Sequence, residues 1–358
     1  MALNNNEQAG RNYLKDKKPL VYDKVIKFKE KYERGESIAI IQLQYNYICN
    51  MKCEHCSILE FQGNKDGKRI ITPADVKNLA DQADAMGLAR FVISGGEPTV
   101  FPDLDELVQA IGPERFYINC DTNGFLLEKK AEHLKEIGID RMQLSIDSLN
   151  AEEHDAFRHM PGAYEHALLG IKECQRIGLP LYIQTVVDRP RLYSDEFKEF
   201  LEYFNGMGLM VFVSYAKPVG AWARHYDNMV KKEDFAYMHE LEQKYRVCTH
   251  LTPAYELDMG CIGVKGFITV TRFGDVQPCP YIHTSIGNIL DTPLKDIIQK
   301  GLDIKYFGEH VDTCLIAEDM NFIKKHVEPH IYDRKDVPVP CDEVFSEEDR
   351  TLKPYWIN

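Results

Sequence analysis

Ser37-Ile-Ala-Ile-Ile-Gln-Leu-Gln-Tyr45, followed three residues later by Cys49-Asn-Met-Lys-Cys53-Glu-His-Cys56, is the stretch from which the rest of the chain is read. Its first half is apolar and β-branched, contains no breaker, and predicts a buried strand. Its second half sets three cysteines at C-x3-C-x2-C spacing in the loop at that strand's C-terminal end. A structural zinc site closes tetrahedrally on four ligands, usually two C-x2-C pairs, and this loop supplies three. His55 would have to complete such a knuckle. Three thiolates can instead hold three irons of a [4Fe–4S] cube and leave the fourth iron open to a small molecule. Core thiols without a metal are the third reading, so the neighbouring chain has to decide.

The totals narrow the field. The 358 residues are enough for one large domain and a smaller one. A hydrophobic content of 44% and a charged content of 28% are those of an ordinary globular protein. The formal charge of −13 argues against binding nucleic acid or anionic lipid through a basic surface. No apolar run reaches the roughly 18 residues of a membrane span. The first residues lack the charged and apolar regions of a secretory signal. Ten cysteines without export suit a reducing compartment and metal or redox use. A cytoplasmic location, with no nucleic-acid and no membrane partner, is therefore expected.

Working outward, residues 1–11 are polar and expected to fray, and the pattern from Asn12 to Arg34 predicts one or two short helices ending at Gly35. After the cysteine loop, Thr72-Pro73-Ala74-Asp75 combines a cap, a proline at the first helical position and an acid in the first turn. Strands are then predicted at 90–94, 116–121, 141–147, 181–188 and 210–215. Helices alternate with them at 103–111, 128–137, 164–177, 194–205 and 233–245. Such alternation implies parallel βαβ units. Six units fall short of the eight of a closed barrel, so the expected fold is α/β, a partial (β/α)6 TIM-like barrel. The alternation stops near residue 247. Four segments follow: 1–37 N-terminal helical, 38–248 barrel, 249–341 a Cys-rich extension, and 342–358 a tail.

Strand two ends in Ser94-Gly95-Gly96-Glu97-Pro98, where two glycines permit a close backbone approach and a carboxylate can accept from an ammonium. One βα unit after a C-x3-C-x2-C loop, this turn resembles the radical S-adenosylmethionine (radical SAM) superfamily. In that family the open iron is chelated by the amino and carboxylate groups of the methionine moiety. The resemblance implies S-adenosylmethionine and a [4Fe–4S] cluster on Cys49, Cys53 and Cys56. It places Gly95, Gly96, Glu97 and Pro98 at the cofactor's amino group. Asn123, in the Thr122-Asn123-Gly124 turn, would line the cofactor cavity. Ser145 and Asp147, two apart on a strand, would project together toward its ribose or carboxylate. Arg158 would reach its carboxylate, and Gln184 would offer a polar contact near adenine. Family members often carry an aromatic after the third cysteine, whereas this chain has Ser57, which puts the packing around adenine in doubt.

Beyond the barrel, Cys261 and Cys279 flank a hairpin turning at Gly274-Asp275, and Cys314 and Cys341 follow. This resembles the SPASM/Twitch extension without its dense C-x2-C-x5-C set. It implies one auxiliary [4Fe–4S] cluster on Cys261, Cys279, Cys314 and Cys341, with a zinc site of the same thiolates as the alternative.

The resemblance implies reductive cleavage of S-adenosylmethionine to a 5′-deoxyadenosyl radical and hydrogen abstraction from an organic substrate. The electron donor would be a reduced flavodoxin or ferredoxin. Dehydrogenation, epimerisation and bond formation stay open. Cys120 and Cys248 are the candidate hydrogen donors, and Cys174 reads as core. Only 37 residues precede strand one, too few for a peptide-binding winged helix, which favours a small hydroxylated substrate such as a sugar or aminocyclitol. Maturation of a ribosomally made peptide is the alternative. Tyr215, Lys217, Trp222, Arg224, His225 and Tyr226 follow strand six and are candidates to hold substrate. A non-catalytic iron–sulfur electron carrier explains the cysteines but neither the glycine turn nor the barrel.

Overall fold

A computed structural model describes residues 5–58, 61 and 68–356. Six parallel strands follow one another in chain order: β1 (Ile40–Asn46), β2 (Arg90–Gly95), β3 (Tyr117–Thr122), β4 (Arg141–Ser145), β5 (Leu181–Val187) and β6 (Met210–Tyr215). A two-residue strand, β7 (Val247–Cys248), adds in parallel to β6. The α/β barrel read from the alternation is thus the observed one, with a short seventh strand at its far edge.

Each strand sorts its residues by face, as a pleated strand must. Ile41, Leu43 and Tyr45 of β1 are buried against the outer helices, whereas Gln42 and Gln44 turn to the interior. The same split repeats with Phe91 and Ile93 outside and Val92 and Ser94 inside on β2. The outer layer is a continuous apolar core in which Phe91 meets Phe116 edge-on at 4.8 Å. The helix Pro73–Ala85 starts at Thr72, whose hydroxyl accepts from Asp75 N while Asp75 accepts from Thr72 N, so both end groups are satisfied.

The chain's first described residues are not frayed. Three helices, Asn5–Lys17, Pro19–Val25 and Phe28–Glu33, lie across the N-terminal end of the barrel. Lys18 ties them down: its Nζ is 2.8 Å from Asp140 Oδ2, the oxygen that also accepts from Ile118 N. Pro19 separates the first two helices because it lacks the amide that would continue the first.

The extension does not stand apart. A hairpin of β8 (Phe267–Val270) and β9 (Asp275–Gln277), turning at Gly274 with φ +83°, joins the same sheet. β8 runs parallel to β1, with Ile40 opposite Phe267 and Leu43 opposite Val270. Two further pairs of residues complete the pattern: β10 (Thr284–Ser285), and β11 (Gly287–Asn288), which pairs with β9. Among the described residues the main sheet therefore has ten strands, in the order β11-β9-β8-β1-β2-β3-β4-β5-β6-β7. β10 pairs separately with β12 (Val339–Pro340).

Candidate active site

The cysteine loop is held from several directions at once. On one side Gly96 N donates to Asn46 O and Glu97 N to Ile48 O, both at 2.8 Å. A Cβ on Gly96 would lie 1.9 Å from Ile48 O, and one on Gly95 2.3 Å from Asn46 O. The two glycines thus serve an approach to the backbone of the cysteine loop, and both also line the cavity. Asn123 Nδ2 donates to Asn50 Oδ1 at 2.8 Å, and Glu54 N to Phe157 O at 3.1 Å. From the loop after β6, Ala221 N donates to Cys56 O, and Gly220, at φ +59°, sits where a Cβ would be 2.4 Å from that carbonyl. Cys49, Cys53 and Cys56 are left half-buried and facing the interior.

Glu97 is buried and fully engaged. Its carboxylate accepts from Thr99 N (3.1 Å), Thr99 Oγ1 (2.6 Å), Thr122 Oγ1 (2.7 Å) and Asn123 N (2.7 Å). It knots the loops after β2 and β3 together. Burial pushes its pKa up while these donors pull it down. Pro98 is buried at the start of the following turn and does not line the cavity.

Ser145 and Asp147 part company, because β4 ends at Ser145 and the strand alternation expected of them does not continue. Ser145 lines the cavity, whereas Asp147 is buried behind the wall with both oxygens taken. Its Oδ2 accepts from Arg158 Nε (2.7 Å) and Nη2 (2.5 Å), and its Oδ1 accepts from Val186 N (3.2 Å). Burial opposes ionisation of Asp147, but Arg158 and the donors around it bring its pKa down to about 2. Arg158 itself reaches the cavity wall, its Nη1 3.7 Å from Cys53 Sγ. Gln184 also lines the cavity and accepts from Gln143 Nε2.

His55 does not complete a knuckle. Its ring stacks on Phe157 at 4.7 Å and 6°. Among the described residues, no three His, Cys, Asp or Glu side chains converge as for a single metal ion. A cube makes no such demand, since each thiolate binds its own iron.

The later cysteines divide in the same way. Cys261, Cys279 and Cys314 face the cavity that Cys49, Cys53 and Cys56 face, a space of about 920 Å³. Cys341 is buried away from it, beside Asp342 and under the influence of Lys300. The reason is local: Cys341 opens a helical turn, Cys341–Val344, that follows β12 and packs into the core. The four-thiolate set read from the sequence is therefore three thiols plus one remote one.

The hydrogen-donor candidates also separate. Cys120 lies on the outer face of β3, fully buried in the apolar core, so it has no access to the interior. Cys248, on β7, lines the cavity, and burial holds its pKa up to about 12. Of the candidates at and beyond the end of β6, Tyr215, Lys217 and Trp222 line the cavity. Arg224 instead pairs with Asp333 (2.6 Å) and the Tyr226 hydroxyl donates to Glu328 (2.6 Å). Lys217 Nζ donates to Tyr215 O (2.7 Å) and Ser214 Oγ (3.1 Å) and sits 4.2 Å from the Tyr281 ring centre.

The polar lining of the barrel interior escaped the sequence reading. Gln44, Asn119 and Asp121 each turn a buried, unpartnered oxygen into this space. The signal was available as polar residues two apart on β1, β3 and β4.

A family model described as the radical SAM superfamily matches residues 43–204. An AdoMet-dependent heme synthase of Methanosarcina barkeri is 29% identical over 278 residues, 70% of this chain and 78% of that protein. A GTP 3′,8-cyclase of Alkaliphilus oremlandii is 29% identical over 284 residues, 74% of this chain and 86% of that protein. The solved structure of Streptococcus suis SuiB bound to precursor peptide SuiA aligns with a TM-score of 0.59 at 18% identity, over 83% of this chain and 70% of that one. Native anSMEcpe with bound AdoMet aligns with a TM-score of 0.55 at 19% identity, over 73% of this chain and 80% of that one. At those identities the two structures speak for the fold alone.

Proposed function

Because this chain belongs to the radical SAM superfamily, with S-adenosylmethionine and a [4Fe–4S] cluster as its cofactors, we propose that it abstracts a hydrogen atom from a small polar molecule held inside the barrel. The observation that carries the reading is that two sets of three thiols, Cys49/Cys53/Cys56 and Cys261/Cys279/Cys314, face one cavity. Cys49, Cys53 and Cys56 would hold the [4Fe–4S] cluster, which would supply one-electron reduction of S-adenosylmethionine when bound.

The chain's own residues define the rest. Gly95, Gly96 and Asn123 fix the cysteine loop and line the space for the cofactor's polar end, with Ser145, Arg158 and Gln184 along the same wall. Cys261, Cys279 and Cys314 would hold an auxiliary iron–sulfur cluster of SPASM/Twitch type. Cys248, which lines the cavity, would be the thiol that returns a hydrogen atom, burial pushing its pKa up to about 12. A reduced flavodoxin or ferredoxin delivers the electron. The polar interior of the barrel supports a small substrate, and the names of the curated relatives (heme, GTP) point the same way.

Anaerobic reconstitution, followed by dithionite and S-adenosylmethionine, should yield 5′-deoxyadenosine. A reduced, reconstituted sample that forms none would leave an electron carrier as the better description. Replacing Cys49, Cys53 and Cys56 together should abolish the product and leave about four irons per chain.

A further inference from the structure

The cavity extends beyond the space the cofactor chemistry needs, down the barrel to the helix Asn5–Lys17. At that end Arg90, at the start of β2, and Arg141, at the start of β4, turn inward on either side of Tyr117. The Tyr117 ring centre lies 5.5 Å from the Arg90 guanidinium and 5.8 Å from that of Arg141. Tyr255 backs Arg90 at 5.4 Å, and Tyr182 backs Arg141 at 4.0 Å. Each arginine has a buried Nε without a hydrogen-bond partner.

Neither arginine forms an ion pair among the described residues, and most of the carboxylates close by are taken. Asp140 is held by Lys18 and Ile118 N. Glu7 accepts from Tyr255 N at 2.6 Å and Glu242 from Thr252 Oγ1. Glu256 is shared by Arg11 and Lys29. Asp121, in the next rung toward the cysteines, has its Oδ2 3.4 Å from Gln42 Nε2 but its Oδ1 unpartnered, and it feels the charge of Arg141. In a protein of formal charge −13, two cations thus face an internal cavity with no ion-pair partner among the described residues, Asp121 being a nearby acid with one oxygen still unpartnered. Water can satisfy their N–H groups but not their charge, and a planar guanidinium between aromatic rings is pre-organised for a bidentate oxyanion.

We propose that this end of the barrel is an oxyanion subsite, in which Arg90 and Arg141 receive a carboxylate or phosphate group of the substrate. The subsite rests on reading the cavity as the substrate chamber. It adds a length requirement: the anionic group anchors deep in the barrel while the reacting carbon stays at the cysteine end.

The test is calorimetric titration of the reconstituted holoenzyme with inorganic phosphate and, separately, with succinate. At least one anion should bind saturably, and the two arms tell phosphate from carboxylate recognition. R90Q and R141Q should each weaken binding about tenfold or more, and R141K less. Thermal midpoint and iron content of each variant show that it is folded and loaded. Where an arginine variant fails that check, N119D puts a carboxylate beside Arg141 across the β3–β4 ladder and should weaken binding with both guanidiniums in place. Absence of binding by either anion to the unaltered protein, or binding unchanged in the folded variants, overturns the subsite. Formation of 5′-deoxyadenosine by the unaltered protein reports separately on the chemistry at the other end.

Discussion

Arg158 binds Asp147 with its Nε and Nη2 and turns its remaining nitrogen to within 3.7 Å of Cys53 Sγ. One buried cation thus joins the loop after β4 to the loop that carries the first three thiols.

Removing that cation should be costly. Arg158→Met leaves Asp147 charged, buried and short of a partner, which destabilises a fold by about 3–5 kcal/mol. Asp147 has its pKa lowered from the ordinary 3.8 to about 2 in the folded protein. A depressed folded pKa contributes stability above the unfolded value and loses it as pH falls from about 4 toward 2. Chemical denaturation at pH 7 and pH 3 should show the variant's deficit shrinking at the lower pH. An equal deficit at both would disconnect Arg158 from Asp147.

Gly96→Ala and Gly220→Ala act on the cysteine loop from opposite sides. Their added methyls would lie 1.9 Å from Ile48 O and 2.4 Å from Cys56 O, so backbone has to move. Each should lower stability by roughly 1–3 kcal/mol and reduce iron retained at the first cluster. Gly178→Ala is the comparison: its φ is similar to that of Gly220, but a Cβ there meets nothing within 4 Å. Iron content after gel filtration should fall in the first two variants only.

Cys314→Ala and Cys341→Ala separate the ligand sets. Loss of Cys314 should strip about four irons, while loss of Cys341 should leave the count unchanged, because Cys341 is remote from the cavity. An equal loss in both would restore Cys341 as a ligand.

Cys248→Ala should keep 5′-deoxyadenosine formation and suppress solvent deuterium incorporation into product if the reaction ends by hydrogen return. Cys120→Ala should change stability alone, since that side chain lies in the apolar core. Mass spectrometry of product formed in D2O decides between them.

What could be read in advance follows from how far apart the decisive residues lie. Cys49, Cys53 and Cys56 are bound to one short loop, so covalent spacing alone announces them. The βα alternation is likewise a local periodicity, and the observed β2 to β6 match it within a few residues. The strand expected over 141–147 puts Asp147 in phase with Ser145, yet β4 stops at Ser145 and Arg158 captures the carboxylate. Cys341 and Cys314 look alike in sequence, and only the path of the chain after β12 separates them. Arg90 and Arg141 each sit at a strand's start in an unremarkable context. Their shared ring, Tyr117, becomes evident only once three strands are side by side.

The strand bearing the first three thiols is flanked by β2 on one side and by β8 on the other, with Ile40 opposite Phe267. More than two hundred residues separate those two partners along the chain. During synthesis the cysteine loop is therefore mounted on an open edge until the ribosome has delivered the hairpin. Metal loading of the nascent polypeptide would meet an unfinished scaffold, so the order of events this topology favours is translation first and cluster insertion afterwards.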